Sequence, residues 1–231
     1  MACYNRIMSR SARAVAYGFP HHVVHRGNNR RRIFHDRLDY EEYFFLLKKY
    51  IEKFRITILA YCLMPNHVHM LLKPEIENSL AKMMQGLLMC YAQYINRKYR
   101  RTGRLWESRY FSSIVDQEAY LWAVVRYIEQ NPLRAKMVER EIDFPYSSAR
   151  AHLVGEKDDL LGEAIFGENQ IEDYRKFAAE SGPKEEIDKL RASTRTGKPF
   201  GNETFTIKME RKLGLRFRPC PSGRPTNTRE K

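Results

Sequence analysis

The chain has 231 residues, 43% of them hydrophobic, enough for one sizeable domain with an appendage or for two small domains. Its formal net charge of +13 favours a polyanionic partner, most often nucleic acid. The cysteines form no CxxC pair, so neither a zinc knuckle nor a disulfide framework is indicated. The sequence contains no apolar run of about 18 residues and no signal-peptide pattern. We therefore expect a cytoplasmic protein without a membrane partner.

The charge is distributed unevenly along the chain. Residues 1–35 contain seven arginines and no acidic residue, and residues 96–110 contain six basic residues and one acidic residue. Residues 156–189 are mainly acidic, whereas residues 193–231 are again basic. We predict three parts: a basic body over 8–152, an acidic helical connector over 153–192, and a basic extension over 193–231. The extension is either a further nucleic-acid-binding element or a solvated tail.

The hydrophobic pattern of the body predicts alternating strands and helices. In chain order we predict a strand and turn over 21–27, a helix over 38–54, a hairpin with strands over 56–63 and 67–73, a helix over 79–99, a strand over 110–116 and a helix over 117–130. Asn78 or Ser79 can cap the second helix, and Pro132 stops the last. This order predicts an α+β fold, a sandwich in which helices pack on one face of an antiparallel sheet.

His67 and His69 lie one residue apart in the second hairpin strand. Successive side chains of a strand alternate between its faces, so both imidazoles project from one face, while Val68 and Met70 take the other. Two neutral imidazoles side by side can form half of a divalent-metal site. The pattern is also compatible with two histidines that are merely hydrogen-bonded at the surface or in the core.

The stretch AYCLMPNHVHMLL (60–72) extends the histidine pair into a longer motif. Other stretches accompany it in a fixed order: GFPHHVVHRGNN (18–29), GRLWESRYFSSIVD (103–116), RYIEQNPLRAKMV (126–138) and DFPYSSARAH (143–152). Together they resemble the IS200-like, or REP-associated, tyrosine transposases, a branch of the HUH (His-hydrophobic-His) single-strand endonucleases. The resemblance covers residues 8–152, implies a ferredoxin-like sheet, and leaves Met8 as an alternative start to Met1.

The resemblance implies that Tyr127 is the nucleophile. Enzymes of this family cleave single-stranded DNA with a tyrosine hydroxyl, which forms a 5′-phosphotyrosine link and frees a 3′-hydroxyl. A covalent intermediate preserves the phosphodiester energy needed to rejoin DNA. Periodicity alone would make Tyr127 a core aromatic, and it leaves Tyr120, seven residues earlier on the same helix face, as the first alternative nucleophile.

The third metal ligand is expected near Tyr127. Asn131 lies four residues later, about 40° around a helix, whereas Glu129 should face elsewhere and Gln130, about 60° off, remains possible. The resemblance places an amide or acidic ligand four residues after the tyrosine. We therefore expect His67, His69 and Asn131 to bind one divalent ion, Mn²⁺ or Mg²⁺.

Two basic segments are candidate DNA-binding surfaces, because a single strand needs cations for phosphates and flat side chains for bases. The first contains Tyr99, Trp106 and Tyr110 among the cations Arg97, Lys98, Arg100, Arg101, Arg104 and Arg109. The second contains Arg26, Asn28, Arg30 and Arg31. Trp106 is more often a core residue than a stacking platform, and the second segment can be only a solvated turn.

The resemblance implies a prokaryotic, nucleoid-associated transposase that acts on single-stranded DNA with hairpin (REP-like) elements, as a monomer or a homodimer. Two alternatives remain open. One is a domesticated module that binds hairpin DNA or RNA without cutting it. The other is a metal-dependent phosphodiesterase that uses water as its nucleophile and does not need Tyr127.

Overall fold

The computed structural model describes residues 13–162, 165–167 and 170–218, so Met8 and residues 219–231 lie outside the described part. None of the described helices is long and apolar enough to cross a membrane. The described elements are β1 (His21–Arg26), α1 (Arg37–Phe54), β2 (Ile56–Met64), β3 (His67–Pro74), α2 (Ser79–Lys98), β4 (Phe111–Ile114), α3 (Leu121–Glu129), α4 (Asn131–Arg134), α5 (Ala149–Val154), α6 (Ile171–Ala179), α7 (Lys184–Thr196) and α8 (Glu203–Leu213).

The four strands form one sheet in the order β2-β3-β1-β4. All neighbouring strands are antiparallel. With α1 between β1 and β2 and α2 between β3 and β4, the chain follows the βαββαβ path of a ferredoxin-like fold. The predicted α+β class and antiparallel sheet are therefore confirmed.

Helices cover both faces of the sheet, so the prediction that they pack on one face was wrong. Val68, Met70 and Leu72 share a core with α1 and α2. Leu71, which points the other way, shares a second core with Val124 and Ile128 of α3. The sequence of β2 carries the reason: ITILAYCLM does not alternate, and every one of its residues is buried. A continuous apolar strand is typical of a sheet that is covered on both sides.

The helix ends differ in detail from the predicted ones. Asp36 caps α1 through a capping box with Asp39. Asn78 occupies the N-cap position of α2, but its side chain makes no capping hydrogen bond, and the Ser79 hydroxyl instead donates to the carbonyl oxygen of Ile76. The last predicted helix begins four residues late, at Leu121.

The described part of the C-terminal extension is packed on the body. The Phe200 amide donates to the Ile114 carbonyl oxygen at 2.7 Å, and the Ser113 hydroxyl donates to the Lys198 carbonyl oxygen at 2.6 Å. This segment covers the outer edge of β4, which would otherwise offer unpaired backbone groups. α8 lies within this extension. The division at 152 and 192 stays a prediction, and α7 crosses its second boundary.

Candidate active site

His67 and His69 lie on the face of the sheet that α3 covers. β3 pairs with β1 so that His67 is opposite Arg26 and His69 is opposite Val24. Directly opposite residues project to the same face, so Arg26 accompanies the histidines. The two imidazole centroids are 4.9 Å apart. The geometry confirms that both rings project from one face, close enough to reach a single ion.

Tyr127 lies above this histidine face. The buried side chains of Val124 and Ile128 anchor α3 to the sheet. Tyr127 therefore meets His69 and His22 edge to face, with ring centroids 5.6 Å apart in both pairs. The Tyr127 ring therefore contacts His69, one of the two histidines of the motif.

Tyr120, the alternative candidate, packs elsewhere. Its ring contacts Phe200, with centroids 4.9 Å apart, and the Lys189 ammonium lies 5.4 Å from its centroid. It is absent from the described residues that line the cavity at the histidines. The geometry thus distinguishes the two tyrosines, which periodicity does not.

A cavity of about 750 Å³ opens beside Tyr127, and we call it the histidine cavity. His67, His69, Tyr127 and Asn131 all line it. Its described lining contains one carboxylate, Glu107, against four arginines: Arg26, Arg134, Arg191 and Arg195. This excess of cations favours an anionic ligand such as a phosphodiester.

Asn131 is oriented by its own helix. Its amide nitrogen donates to the carbonyl oxygens of Tyr127 and Ile128, both at 3.0 Å. The amide group is thereby fixed, and within the described structure its Oδ1 receives no hydrogen bond. An amide oxygen without a donor is a suitable ligand for a hard cation.

Glu129 and Gln130 face away from the histidine cavity. Glu129 is buried and accepts hydrogen bonds from Ser148, His152 and Tyr174. The Gln130 amide donates to the carbonyl oxygen of Ala178 at 2.8 Å. The prediction that Glu129 faces elsewhere is confirmed, and Gln130, which the sequence left possible, is held against α6.

A chain of hydrogen bonds fixes the tautomer of His69. The Thr194 hydroxyl donates to the Leu190 carbonyl oxygen at 2.9 Å and so accepts from Nδ1 of His22 at 2.8 Å. With its proton on Nδ1, His22 accepts at Nε2 from Nδ1 of His69, at 2.9 Å. Nε2 of His69 is left unprotonated. We call this chain the Thr194 relay; such partners of a ligating histidine set its ring orientation and tautomer.

His67 is oriented in the same way by a shorter route. The Asn66 amide nitrogen donates to the Arg30 carbonyl oxygen at 3.1 Å, which identifies Oδ1 as the atom facing His67. That oxygen accepts from Nδ1 of His67 at 2.6 Å. Nε2 of His67 is therefore also unprotonated, like that of His69.

Burial keeps the histidines of the cavity neutral. It lowers the pKa of His67 to about 4 and that of His22 to about 3, and the nearby Arg26 and Arg134, respectively, add to these shifts. Burial, followed by the neighbouring His67 and His22, lowers the pKa of His69 well below its usual value. Neutral imidazole is the form that binds a metal.

The donor set fits a divalent cation. Two unprotonated Nε2 atoms and one amide oxygen are available at the histidine cavity, and mixed nitrogen and oxygen ligation is typical of first-row divalent ions. Within the described residues no three histidine, cysteine, aspartate or glutamate side chains gather into a metal-binding cluster. An ion here would therefore take its oxygen ligands from Asn131 or from a bound substrate, such as a phosphate oxygen.

Two arginines flank Tyr127. The Arg134 guanidinium carbon lies 4.3 Å from the centroid of the Tyr127 ring, and its Nη2 donates to the Tyr127 carbonyl oxygen. Nε and Nη1 of Arg134 are buried and have no hydrogen-bond partner among the residues that the structure describes. Arg191 reaches in from α7, and its Nε donates to the Tyr127 hydroxyl at 3.3 Å.

The two predicted DNA-binding segments are neighbours. The Asn28 amide donates to the Leu105 carbonyl oxygen at 2.8 Å, and the Glu107 amide donates to that of Arg26 at 2.9 Å. Arg26 lines the histidine cavity, and Arg30 and Arg31 are exposed on the adjoining turn. The structure therefore joins these segments into a single basic surface beside the histidines.

The remaining predicted cations have different environments. Arg104 and Arg109 are exposed and line a second cavity. Arg97, Arg100 and Arg101 lie at or just beyond the end of α2. Lys98 is bound to Asp36 and Asp39, with N–O distances of 2.7 Å to both, so it is engaged in the fold. Trp106 donates to the Leu88 carbonyl oxygen and packs on His25 and Tyr91, as a core residue does.

Several site residues were missed in the sequence. His22 shares the histidine face by simple alternation along β1, so HHVVHR carried a usable signal. Arg134 follows Tyr127 by seven residues, two helical turns, and belongs to the same quoted motif. Arg191, Thr194 and Arg195 carried no signal, because only the tertiary fold brings α7 to the sheet.

The fold and the site agree with the resemblance to a tyrosine transposase: a ferredoxin-like sheet carries the histidine pair beneath a tyrosine on a helix. The model of the family described as "Transposase IS200 like" matches residues 15–131, about half of the chain. The chain belongs to this family.

Individual relatives agree with this assignment. A protein of Haemophilus influenzae, which bears the provisional name REP-associated tyrosine transposase, is 27% identical over 112 residues, covering 44% of this chain and 63% of the relative. The chain thus spans less than two thirds of that relative. A solved structure of a REP-associated tyrosine transposase bound to a REP hairpin superposes with a TM-score of 0.56 and 16% identity, covering 69% of this chain and 94% of the relative. The latter similarity is one of fold.

Proposed function

We propose that this protein cleaves and rejoins single-stranded DNA beside a hairpin, through a 5′-phosphotyrosine intermediate at Tyr127. The observation that carries the proposal is the contact of Tyr127 with His69, in a cavity that His67 and Asn131 also line. Membership of the IS200-like family supports DNA as the substrate. The structural relative bound to a REP hairpin supports a hairpin element next to the cut.

We assign His67, His69 and Asn131 as the residues that would hold a divalent ion, Mn²⁺ or Mg²⁺. The unprotonated Nε2 atoms and the free amide oxygen support this set. When bound, such an ion supplies positive charge that polarises the phosphate and stabilises the charge that develops on its oxygens.

In the proposed cleavage step, the Tyr127 oxygen forms a bond to phosphorus while the bond from phosphorus to the 3′ oxygen breaks. The phenolic proton leaves to water, and the departing 3′ oxygen takes up a proton, so the step is balanced. Rejoining is the reverse: a 3′-hydroxyl attacks the phosphotyrosine and returns the proton to Tyr127. The number of phosphodiester bonds is unchanged in both steps, which explains why the nucleophile is a tyrosine rather than water.

Arg134 and Arg191 are proposed to bind the reacting phosphate. Arg134 lines the histidine cavity and keeps two buried guanidinium nitrogens without a partner among the described residues, and a guanidinium can bind phosphate with two parallel hydrogen bonds. Arg191 donates to the phenol oxygen in the present arrangement, so it can hold that oxygen in position beside the phosphate.

We propose that α3 serves the histidines of its own chain, because Tyr127 contacts His69 within the chain, and that the protein acts as a monomer or a homodimer. We further propose that residues 8–152 are the catalytic domain, that 153–192 connect it to the basic extension 193–231, and that the protein acts at the nucleoid in the cytoplasm.

The test is covalent capture. The protein is incubated with a pool of labelled single-stranded hairpin oligonucleotides and Mn²⁺ or Mg²⁺, then resolved on a denaturing gel. We expect a labelled band at the protein's mass that is lost with chelator, with Tyr127→Phe and with His67→Ala, and retained with Tyr120→Phe. Metal-dependent cutting that survives Tyr127→Phe would instead identify a phosphodiesterase, and hairpin binding without cutting would identify a binding module.

A further inference from the structure

A buried carboxylate, that of Glu129, lies on α3 and has no part in the proposed chemistry. Glu129 follows Tyr127 by two residues, about 200° around the helix, so it projects from the opposite side of α3. It is 1% exposed and accepts hydrogen bonds from Ser148, His152 and Tyr174. We call these three donors and Glu129 the Glu129 cluster.

The three donors satisfy both oxygens of the carboxylate. Ser148 Oγ and His152 Nδ1 donate to Oε1 of Glu129, at 2.7 and 2.5 Å, and the Tyr174 hydroxyl donates to Oε2 at 2.9 Å. Burying a carboxylate is costly unless hydrogen bonds replace those lost to water. A carboxylate only accepts, whereas a glutamine amide would turn an NH₂ group toward one of these donors. The cluster therefore favours glutamate over glutamine at this position.

Ser148 connects the cluster to the sheet. Its amide donates to the Tyr61 carbonyl oxygen of β2 at 3.1 Å, and its Oγ accepts from the Tyr61 amide at 3.1 Å. β2 is the neighbour of β3, the strand that carries His69. A series of directional bonds thus runs from the strand beside His69, through Ser148 and Glu129, to the helix that carries Tyr127.

Two further polar residues of α3 bind α6 and α7. Arg126 and Gln130 are each 4% exposed. Arg126 donates to the Phe177 carbonyl oxygen at 3.1 Å and to Glu186 at 3.0 Å, and the Gln130 amide donates to the Ala178 carbonyl oxygen at 2.8 Å. The helix that supplies the tyrosine donor of the cluster is therefore itself fastened to α3.

Apolar packing alone does not determine the position of α3. Val124 and Ile128 hold it against the sheet, but hydrophobic burial is not directional. A slip of one residue would turn the helix by about 100° and take the Tyr127 ring away from His69. The same slip would leave the Glu129 carboxylate buried without its donors. A fully satisfied buried network of this kind selects one arrangement of the elements it joins.

We propose that Glu129 is a positioning residue: by accepting from Ser148, His152 and Tyr174, it fixes α3 in the register in which Tyr127 contacts His69. This inference rests on the proposed function, because the register affects catalysis only if Tyr127 is the nucleophile. Misplacing a reacting group by about 1 Å can slow a reaction by about 10²-fold, so such a residue acts on the rate without touching DNA.

The first readout does not require catalysis. In the metal-free full chain with isotope-labelled histidine and tyrosine, NMR measures the nuclear Overhauser contact between the rings of Tyr127 and His69. The signals are identified with Tyr127→Phe and His69→Gln. We expect the contact to be lost in Glu129→Gln and weakened in Tyr174→Phe, a milder change that removes one hydrogen bond of the cluster.

The matched control is Tyr61→Phe. The Tyr61 hydroxyl also donates to a carboxylate, that of Asp158, at 2.7 Å, and its side chain is buried in the core formed with α1 and α2, on the other face of the sheet. This variant should keep the contact between Tyr127 and His69. An equal loss of the contact in Tyr61→Phe would indicate general destabilisation and would overturn the proposal.

The second readout is the rate of adduct formation in the covalent-capture assay, measured over a range of hairpin concentrations below the thermal midpoint of every variant. At saturating DNA we expect the rate to fall about 10- to 100-fold in Glu129→Gln and about 2- to 10-fold in Tyr174→Phe. The half-saturating DNA concentration should be unchanged, and Tyr61→Phe should match the wild type in both quantities.

Wild-type saturating rates in both cluster variants would overturn the proposal, as would an unaltered contact between Tyr127 and His69. A higher half-saturating concentration with an unchanged saturating rate would also overturn it, because Glu129 would then affect binding. The two readouts separate the hypotheses. If the wild type forms no adduct but the cluster variants lose the contact, the positioning role stands and the chemistry at Tyr127 is refuted. An adduct in the wild type, with the contact intact in every cluster variant, refutes the positioning role alone.

Discussion

His22 accepts a hydrogen bond from His69, with 2.9 Å between Nε2 and Nδ1, and their rings are stacked with an interplanar angle of 11°. Because Thr194 holds His22 in turn, α7 determines how a histidine of the sheet presents its free nitrogen. The orientation of the proposed metal ligand therefore depends on a residue 172 positions away from His22 in the sequence.

This relationship predicts an effect of Thr194 on metal binding. Thr194→Val removes the hydroxyl that receives the His22 proton, and we expect Mn²⁺ affinity to fall about 10- to 100-fold, the usual effect of losing such a partner. Thr194→Ser should restore it. Calorimetric titration of the DNA-free protein measures the affinity directly, and unchanged affinity in Thr194→Val would show that the relay does not orient His69.

Arg134 offers a second prediction. Arg134→Gln removes the charge beside Tyr127, and we expect adduct formation to slow by about 10²- to 10³-fold, the range for losing one preorganised donor to a transition state. Single-turnover gels give the rate. The matched control is Arg140→Gln, because Arg140 is exposed and pairs with Asp143, away from Tyr127. Equal rates in the two variants would remove Arg134 from the mechanism.

Mixing inactive variants tests whether one chain contains the whole site. Tyr127→Phe lacks the proposed nucleophile, and His67→Ala lacks a proposed metal ligand. If α3 serves the histidines of its own chain, as it does here, a mixture of the two proteins should form no adduct. Recovery of activity toward one quarter to one half of the wild-type level would show that chains exchange the tyrosine helix.

Lys98 should matter for folding more than for DNA. Its ammonium pairs with Asp39, whose side chain is fully buried, so Lys98→Met leaves a buried carboxylate without its cation. We expect a loss of about 1–3 kcal/mol in the free energy of unfolding, measured by chemical denaturation. Arg97→Ala, at an exposed neighbouring position, should leave stability unchanged. The opposite ranking would mean that the ion pair contributes little.

Stability should fall in mild acid. Burial lowers the pKa of His21 to about 4 and that of His25 to about 3, from an ordinary value near 6.5. At a pH between the ordinary and the lowered pKa values, the unfolded chain binds protons that the folded chain does not. Stability is therefore complete above about pH 6.5 and decreases toward pH 4. Denaturation curves from pH 7.5 to 4.5 should show this slope, and His21→Gln should reduce it. A stability that is flat over this range would contradict the prediction.

Local patterns predicted the strands, the major helices and the class of the fold, because β-prone runs and helical periodicity are decided within a few residues. The sequence analysis missed that helices cover both faces of the sheet. The alternation in β3 is compatible with a sheet covered on one face, whereas the unbroken apolar run of β2 indicates two covered faces. Tyr127 was separated from Tyr120 by resemblance in the sequence and by contact with His69 in the structure. A contact between residues on two different elements, such as Tyr127 and His69, cannot be predicted from a local sequence pattern.

The residues contributed by α7 mark the limit of prediction. Arg191 and Thr194 lie in a segment whose composition indicates only a solvated, charged helix, and its function follows from packing against β4 and β1. Asn66 was visible in the hairpin motif, but its role in orienting His67 required the bond from its amide to Arg30.

The strip formed by residues 198–200 along β4 has a consequence for how this protein can change over evolutionary time. A truncation that removes α7 and this strip would expose the edge of β4 and would also remove Thr194, the hydrogen-bond partner of His22. The fold and the proposed site would therefore be damaged together. The segment between α5 and α6 covers the opposite edge of the sheet in the same way, because the Gly162 amide donates to the Ile58 carbonyl oxygen of β2. The C-terminal extension and the histidine strand should therefore be inherited as one unit.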